Sequence, residues 1–237
     1  MHRRRRRHGG GAGAGLSTIL VIGASRGLGL EFVRQYRETW DRVIATARDD
    51  AGLKRLEGLG AKALKIDVTD PASVSGLGWQ LDGEKIDLAL YVAGVMSRGG
   101  ATAPPAREDF DRVMHTNVLG AMQVIPQVAP MVEAAGGRFV FISSEMGYIS
   151  GVESSYSWVY RASKSALNMA VASAQADYPK AVMVTMSPGW VRTDMGGADA
   201  PLTPEQSVTS MRASIEGLGP RHKGAFLNHD GRRFKGW

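Results

Sequence analysis

The chain contains no cysteine among its 237 residues. This absence excludes disulfide bonds, thiolate nucleophiles and zinc sites with cysteine ligands. The sequence also lacks any run of about 18 apolar residues, so it predicts no transmembrane helix and no membrane partner. Arginine pairs followed by the short apolar run 16–24 resemble a secretory signal, but that run leads directly into a glycine-rich loop. We therefore expect a cytoplasmic protein.

The net charge of +6 has an uneven origin along the chain. Five consecutive arginines occupy positions 3–7, and without them 24 basic residues face 23 acidic ones. Residues 1–15 are predicted to be a disordered Arg/Gly-rich tail. The tail could be a natural arm that binds anions, a start codon assigned too far upstream, or a remnant of cloning. The near-neutral remainder does not predict a specific nucleic-acid partner.

Residues 16–237 predict one folded domain in which strands alternate with helices. The composition, 43% hydrophobic and 22% charged, is typical of a globular protein. Apolar runs rich in β-branched residues predict strands at 18–22, 42–47, 61–66, 86–93, 138–143, 181–187 and, for a short seventh strand, 224–227. Helices are predicted at 27–39, 51–59, 71–81, 108–134, 157–177 and 203–217. This pattern indicates a doubly wound, three-layer αβα fold of the Rossmann type, whose mostly parallel sheet has six or seven strands.

Ligands of such sheets bind beyond the carboxyl ends of the strands. The first strand is followed by a glycine-rich segment that opens a helix, with the candidate binding residues Gly23, Ser25, Arg26, Gly27, Leu28 and Gly29. Glycines let the backbone approach a pyrophosphate, which then meets the N–H groups at the helix N-terminus. The spacing differs from the commoner G-x-G-x-x-G, and a tight strand-to-helix turn is the simpler alternative.

The residue that follows the second strand predicts which nicotinamide cofactor binds. Arg48 lies near the position where proteins that select NAD carry an acid, and Arg26 lies in the glycine loop. Two guanidinium groups suit a ribose 2′-phosphate, which favours NADP(H). In the alternative, Asp49 binds the ribose and NAD(H) is used. The small pair Ala93 and Gly94, after the fourth strand, would let a ribose or nicotinamide pass close to the backbone.

The strongest chemical signal is Tyr160 followed four residues later by Lys164, which places both on one helix face. An ammonium close to a phenol favours the phenolate and makes proton transfer near neutral pH easier. Ser144, at the end of the fifth strand, offers a hydroxyl to a substrate oxygen. Asn117 lies inside a predicted helix although asparagine is a poor helix former, which indicates a kink or a bound water.

Together these motifs resemble a short-chain dehydrogenase/reductase of the single-domain type, similar to the branch of C-factor and carbonyl reductases. The ordered matches are Gly23-x-x-x-Gly27-x-Gly29, Asp67-Val68, Ala93-Gly94, Asn117, Ser144, Tyr160-x-x-x-Lys164 and Pro188-Gly189-x-Val191-x-Thr193. Ile22 and Tyr91-Val92 depart from the family pattern, in which a threonine and two asparagines are usual.

The resemblance implies a role for each of these residues. Tyr160 would be the general acid/base, Ser144 would polarise the carbonyl, and Lys164 would lower the pKa of Tyr160 and hold the nicotinamide ribose. Asn117 would position a water next to Lys164. Asp67 and Val68 would contact the adenine. The residues expected beside the nicotinamide and phosphates are Pro188, Gly189, Val191 and Thr193.

Two functions from different classes are consistent with the sequence. The first is an NADP(H)-dependent oxidoreductase acting on a small-molecule carbonyl or alcohol. The second is a non-catalytic NAD(P)-binding signalling protein of the C-factor type. The resemblance also implies a homodimer or homotetramer formed through two long helices, one of which contains Pro126 and Pro130. Apolar residues predict the substrate mouth, and Gly196-Gly197 could hinge a lid over the cofactor.

Overall fold

A single seven-stranded parallel sheet forms the centre of the molecule. The computed structural model describes residues 17–237, so the predicted tail 1–15 and Leu16 lie outside the described residues. The strand order is β3-β2-β1-β4-β5-β6-β7. The strands are β1 Thr18–Ile22, β2 Arg42–Ala47, β3 Lys62–Lys65, β4 Leu88–Tyr91, β5 Arg138–Ile142, β6 Val182–Ser187 and β7 Phe226–Asn228. The predicted fold class is confirmed, with seven strands whose ends lie within two residues of the predictions.

Eight α-helices within residues 17–237 connect these strands and cover both faces of the sheet. They are α1 Gly27–Tyr36, α2 Asp50–Gly58, α3 Pro71–Ser75, α4 Leu77–Gln80, α5 Arg107–Met114, α6 Gly120–Ala134, α7 Trp158–Ala174 and α8 Pro204–Glu216. The prediction of one helix over 71–81 was wrong, because Gly76 ends α3 and separates it from α4. Pro71 occupies the first turn of α3, where its missing N–H leaves no hydrogen bond unmade.

The sheet buries both of its faces, which explains why the strands are continuously apolar rather than alternating. On one face, Phe32 and Val33 of α1 pack with Met211 of α8. On the opposite face, the strands pack against Val124 of α6 and Leu167 of α7. Because both faces of the sheet are covered, we expect a ligand to bind at the carboxyl ends of the strands, among the loops that follow them.

The long helical segment after β4 is interrupted at the position of Asn117. Residues His115–Leu119 form a π-helical turn between α5 and α6, in which the Gly120 N–H donates to the His115 carbonyl. Such turns are frequent at functional sites. The asparagine therefore marks the irregularity that its low helix propensity predicted. Pro126 and Pro130 lie further along, inside α6.

No helix within residues 17–237 has the length and apolar character needed to cross a bilayer.

Candidate active site

A cleft of about 450 Å³ opens at the carboxyl edge of the sheet. It lies at the topological switch point, where the chain passes from the β1 side of the sheet to the β4 side. Most of the predicted cofactor-binding residues line it: Gly23, Ser25, Arg26, Gly27, Leu28, Gly29, Arg48, Asp67, Val68, Ala93, Gly94, Tyr160, Lys164, Pro188 and Thr193. Gly189 and Val191 do not line it, although they belong to the same loop as Thr193.

The glycine loop brings backbone against backbone. Gly23 has φ +82°, and a Cβ added there would lie 2.6 Å from the Ala93 nitrogen. A Cβ on Gly29 would lie 2.3 Å from the Gly23 carbonyl oxygen. No side chain caps the N-terminus of α1, so its first N–H groups face the cleft without a capping partner among the described residues. This end of the cleft suits an anionic phosphate group.

Thr46 of β2 holds the glycine loop in place, a role that the sequence did not predict. Its buried hydroxyl accepts the Gly23 N–H at 3.0 Å, and its carbonyl accepts the Ala24 N–H at 2.8 Å. The only available signal was a hydroxyl within an otherwise apolar buried strand. That signal does not identify the partners, because Gly23 and Ala24 lie in the loop after β1, more than 20 residues earlier in the chain.

The two arginines expected at the 2′-phosphate are arranged differently from each other. The exposed side chain of Arg48 forms no hydrogen bond or ion pair with any part of residues 17–237. Arg26 pairs with the exposed Asp194 at 3.0 Å; both arginines line the cleft, and their joint binding of a 2′-phosphate stays a prediction. Asp49, the alternative ribose ligand, caps α2 by accepting the Gly52 N–H at 2.7 Å.

Helix α7 carries the proposed proton-transfer pair. Tyr160 and Lys164 are both buried, and the Lys164 Nζ lies 5.6 Å from the Tyr160 ring centroid. The Lys164 ammonium donates to the Ile142 carbonyl at 2.8 Å. Burial lowers the pKa of Lys164 to about 8 because it disfavours the charged form.

The expected lowering of the Tyr160 pKa is not found. Burial raises the pKa of Tyr160 to about 12, and the nearby Ser144 hydroxyl opposes this rise. Desolvation is the larger cause, and the Lys164 ammonium is directed to the Ile142 carbonyl. A protonated Tyr160 is therefore the dominant form at neutral pH.

Ser144 stands at the turn between β5 and a short 3₁₀ helix, Glu145–Gly147. Its Oγ accepts the Met146 N–H at 3.1 Å, and its hydroxyl lies close enough to Tyr160 to lower the pKa of that phenol. Ser144 does not itself line the cleft, whereas its neighbour Ser143 does. The structure thus brings Ser144 close to Tyr160 from a separate element.

Asn117 anchors the loop that follows β4. Its Oδ1 accepts the Val95 N–H and its Nδ2 donates to the Val95 carbonyl, each at 2.8 Å. Nδ2 also donates to the Ser163 hydroxyl at 2.9 Å. The side chain is engaged with protein groups, and a water positioned by Asn117 next to Lys164 stays a prediction. A Cβ on Gly94 would lie 3.5 Å from both the Asn117 Oδ1 and the Lys164 Nζ, which places Asn117 close to Lys164.

Tyr91, one of the departures from the family pattern, has a structural role. Its hydroxyl donates at 2.8 Å to the Thr116 carbonyl, which belongs to the π-helical turn. Its buried ring stacks on Phe141 with centroids 5.9 Å apart. The phenol therefore satisfies a buried carbonyl of an irregular helical turn.

Hydrogen bonds within the loop after β6 hold Gly196, one of the two glycines of the predicted hinge. The Trp190 Nε1 donates to the Gly196 carbonyl at 2.8 Å, and the Gly196 N–H donates to the Thr193 hydroxyl at 3.2 Å. A Cβ on Gly196 would lie 2.0 Å from the Val191 carbonyl oxygen. The proposed hinge at Gly196-Gly197 stays a prediction.

Comparison with known proteins places this arrangement among relatives. A model of the short chain dehydrogenase family matches residues 17–201. The C-signal of Myxococcus xanthus is 37% identical over 149 residues, 62% of this chain and 90% of that protein. The 1-hydroxy-2-glutathionyl-2-methyl-3-butene dehydrogenase of Rhodococcus sp. (strain AD45) is 30% identical over 227 residues, 91% of this chain and 98% of that protein.

Solved structures give the same result for the whole fold. The carbonyl reductase Sniffer of D. melanogaster superposes with a TM-score of 0.87 at 28% identity, covering 94% of this chain and 100% of that one. The NADPH-bound carbonyl reductase from chicken fatty liver superposes with a TM-score of 0.84 at 29% identity, covering 94% of this chain and 99% of that one.

Proposed function

The chain belongs to the short-chain dehydrogenase family, and from this premise we propose that it interconverts a small-molecule carbonyl and an alcohol with NADP(H). The observation that carries the proposal is the approach of the Ser144 hydroxyl to buried Tyr160, which lines the cleft of about 450 Å³. Ser144 and Tyr160 come from different elements, and Lys164 lies one helical turn beyond Tyr160.

The described residues fit a nicotinamide dinucleotide. The uncapped N-terminus of α1 and the crowded glycines Gly23 and Gly29 would hold its phosphates. Asp67 and Val68 would contact the adenine, and Lys164 the ribose on the nicotinamide side. When bound, the cofactor supplies or accepts the hydride. The related carbonyl reductase from chicken fatty liver is NADPH-bound, which supports the assignment.

Tyr160 would act as the general acid during reduction. Its raised pKa keeps the hydroxyl protonated at neutral pH, ready to donate to a substrate carbonyl oxygen. Ser144 would donate a second hydrogen bond to the same oxygen and stabilise the negative charge that develops there. In the reverse direction, Tyr160 would accept the alcohol proton. Lys164 would bear a positive charge below pH 8, which favours the phenolate that remains after proton transfer.

A preference for NADP(H) over NAD(H) rests on Arg48. Its guanidinium is exposed at the cleft and uncommitted to any described residue, so it is available for a 2′-phosphate. Asp49 is engaged as the cap of α2, which counts against its use as a ribose ligand. The carbonyl reductase relative that binds NADPH agrees with this choice.

The substrate would enter an apolar mouth, and the protein would associate with itself. Met195 lines the cleft and is 37% exposed, and Trp190 of the same loop is 57% exposed, which favours an apolar carbonyl compound. Met122 of α6 and Met169 of α7 are 52% and 63% exposed, and we expect a homodimer or homotetramer to cover these helices.

The proposal is tested by NADPH consumption with a panel of ketones and aldehydes. We expect turnover by the wild-type protein, loss of turnover in Tyr160→Phe, and unchanged NADPH binding in that variant. Tight NADPH binding without turnover across the whole panel would contradict the enzymatic proposal.

A second candidate is a non-catalytic NAD(P)-binding signalling protein, favoured by the 37% identity to a protein named C-signal. A signalling role would need the dinucleotide cleft but not a Ser144–Tyr160 pair. Under this alternative, the biological phenotype would survive Tyr160→Phe but not the loss of the glycine loop.

A further inference from the structure

A buried amide on α7 ties down the turn that carries Ser144. Asn168 is 2% exposed and lies one helical turn beyond Lys164, on the same helix face. Its Oδ1 accepts the Ser143 hydroxyl at 2.7 Å, and its Nδ2 donates to the Gly147 carbonyl at 3.5 Å. The two partners flank Ser144 on either side. None of these contacts has a part in the chemistry proposed above.

The Gly147 end of this turn has no free space against α7. A Cβ on Gly147 would lie 2.9 Å from the Lys164 Cβ. The Ser165 hydroxyl donates to the Gly147 carbonyl at 3.0 Å, reinforcing the bond from Asn168. On the other side, the Glu145 N–H donates to the Ser187 hydroxyl of β6 at 3.0 Å. The turn is therefore held by α7 and β6 independently.

We propose that Asn168 is a positioning residue that sets the register between the Ser144 and Tyr160 hydroxyls. Tyr160 and Asn168 belong to one rigid helix, whereas Ser144 belongs to the turn after β5. Because Asn168 bonds to a residue on each side of Ser144, it fixes the turn that carries Ser144 relative to α7. This inference rests on the proposed function, because register matters only if Ser144 and Tyr160 address one substrate oxygen.

Gln175 provides a matched control at the other end of the same helix. It is also a buried amide with backbone partners, accepting the Met183 N–H at 2.8 Å and donating to the Tyr178 carbonyl at 2.9 Å. It stands 15 residues beyond Tyr160, about 22 Å along the axis. Its loss should reduce stability as the loss of Asn168 does, without reaching Ser144.

The experiment compares Asn168→Leu, Ser143→Ala and Gln175→Leu with the wild type. Urea unfolding measures stability, steady-state kinetics separate kcat from KM, and ¹³Cζ-tyrosine NMR reports the Tyr160 environment at neutral pH. Tyr160→Phe assigns the Tyr160 signal among the six tyrosines. Ser143→Ala removes only one hydroxyl, so it keeps the test open should Asn168→Leu fail to fold.

We expect Asn168→Leu and Ser143→Ala to shift the Tyr160 signal and to lower kcat about 10- to 100-fold, with NADPH affinity within twofold. Gln175→Leu should lower stability but leave both the signal and kcat unchanged. The double variant Asn168→Leu/Ser143→Ala should be no slower than Asn168→Leu, because the two residues act as one unit.

Three results would overturn the positioning role. One is an unchanged Tyr160 chemical shift in both Asn168→Leu and Ser143→Ala. Another is a changed shift with unchanged kcat, and the third is an equal loss of kcat in Gln175→Leu. If the variants change the Tyr160 chemical shift but the wild type turns over no carbonyl compound, the positioning by Asn168 stands and the oxidoreductase proposal is rejected. The two hypotheses are thereby separated.

Discussion

The β1–β2 side of the cleft is shaped by residues that lack side chains, whereas the β5–α7 side is shaped by buried polar side chains. On the first side, Gly23 and Gly29 leave room only for backbone. On the second, Lys164 and Asn168 reach across to carbonyls and hydroxyls of β5 and its turn. On the first side, adding atoms should therefore reduce stability and NADPH binding. On the second side, removing a hydrogen bond or a charge should reduce turnover.

The largest effect is expected from Tyr160→Phe, which removes a single hydroxyl from the polar side. General acid–base catalysis contributes about 10²–10⁴-fold, so kcat should fall by that factor while NADPH binding is retained. Steady-state kinetics and fluorescence titration measure the two quantities. Tyr178→Phe, in a partly buried tyrosine beyond the C-terminal end of α7, should change neither.

Gly23→Ala should break the glycine side by steric conflict. Its φ of +82° and the 2.6 Å approach of the added Cβ to the Ala93 nitrogen combine backbone strain with overpacking. Together these cost about 2–5 kcal/mol. We expect lower stability in urea and at least a tenfold loss of NADPH affinity. Gly58→Ala, where a Cβ meets nothing within 4 Å, is the matched control. Equal behaviour of the two variants would contradict the steric account.

The buried ammonium of Lys164 should make stability depend on pH. Because its folded pKa of about 8 lies below the unfolded value of about 10.4, the unfolded state binds more protons between these values. The free energy of unfolding then rises with pH by up to about 1.4 kcal/mol per unit. Urea titrations at pH 7, 8 and 9.5 should show this rise in the wild type and a smaller one in Lys164→Met. Identical pH profiles would show that Lys164 is not desolvated.

Arg48→Ala should weaken NADPH binding about tenfold, since hydrogen bonds to charged groups contribute about 1.5–3 kcal/mol and the site is exposed. NADH binding should be unchanged, because NADH lacks the 2′-phosphate. Parallel fluorescence titrations of both dinucleotides make the measurement. A wild type that binds NADH more tightly than NADPH would overturn the cofactor assignment.

The smallest effect is expected at the exposed ion pair that spans the cleft. Asp194→Asn frees Arg26 from a carboxylate 3.0 Å away and removes a negative charge from the cleft. Surface pairs contribute little, so NADPH affinity should rise only about two- to fivefold. The gain should shrink at high salt. Weaker NADPH binding in this variant would mean that Asp194 holds Arg26 in its binding position.

The sequence predicted the sheet well because its strands are continuous apolar runs that the fold buries on both faces. Local glycine and tyrosine–lysine spacing likewise predicted the residues that line the cleft. The sequence could not predict contacts between side chains that lie far apart along the chain. Ser143 and Asn168 are 25 residues apart, and Arg26 and Asp194 are 168 apart. The raised pKa of Tyr160 was missed for the same reason, since burial depends on the packed structure.

The most direct test of the account is single-turnover oxidation of bound NADPH by a carbonyl substrate in wild type and Tyr160→Phe. If the two sides of the cleft divide binding from proton transfer, both proteins bind NADPH equally and the variant reacts at least about 100-fold more slowly. Equal single-turnover rates, or loss of NADPH binding in the variant, would contradict that division.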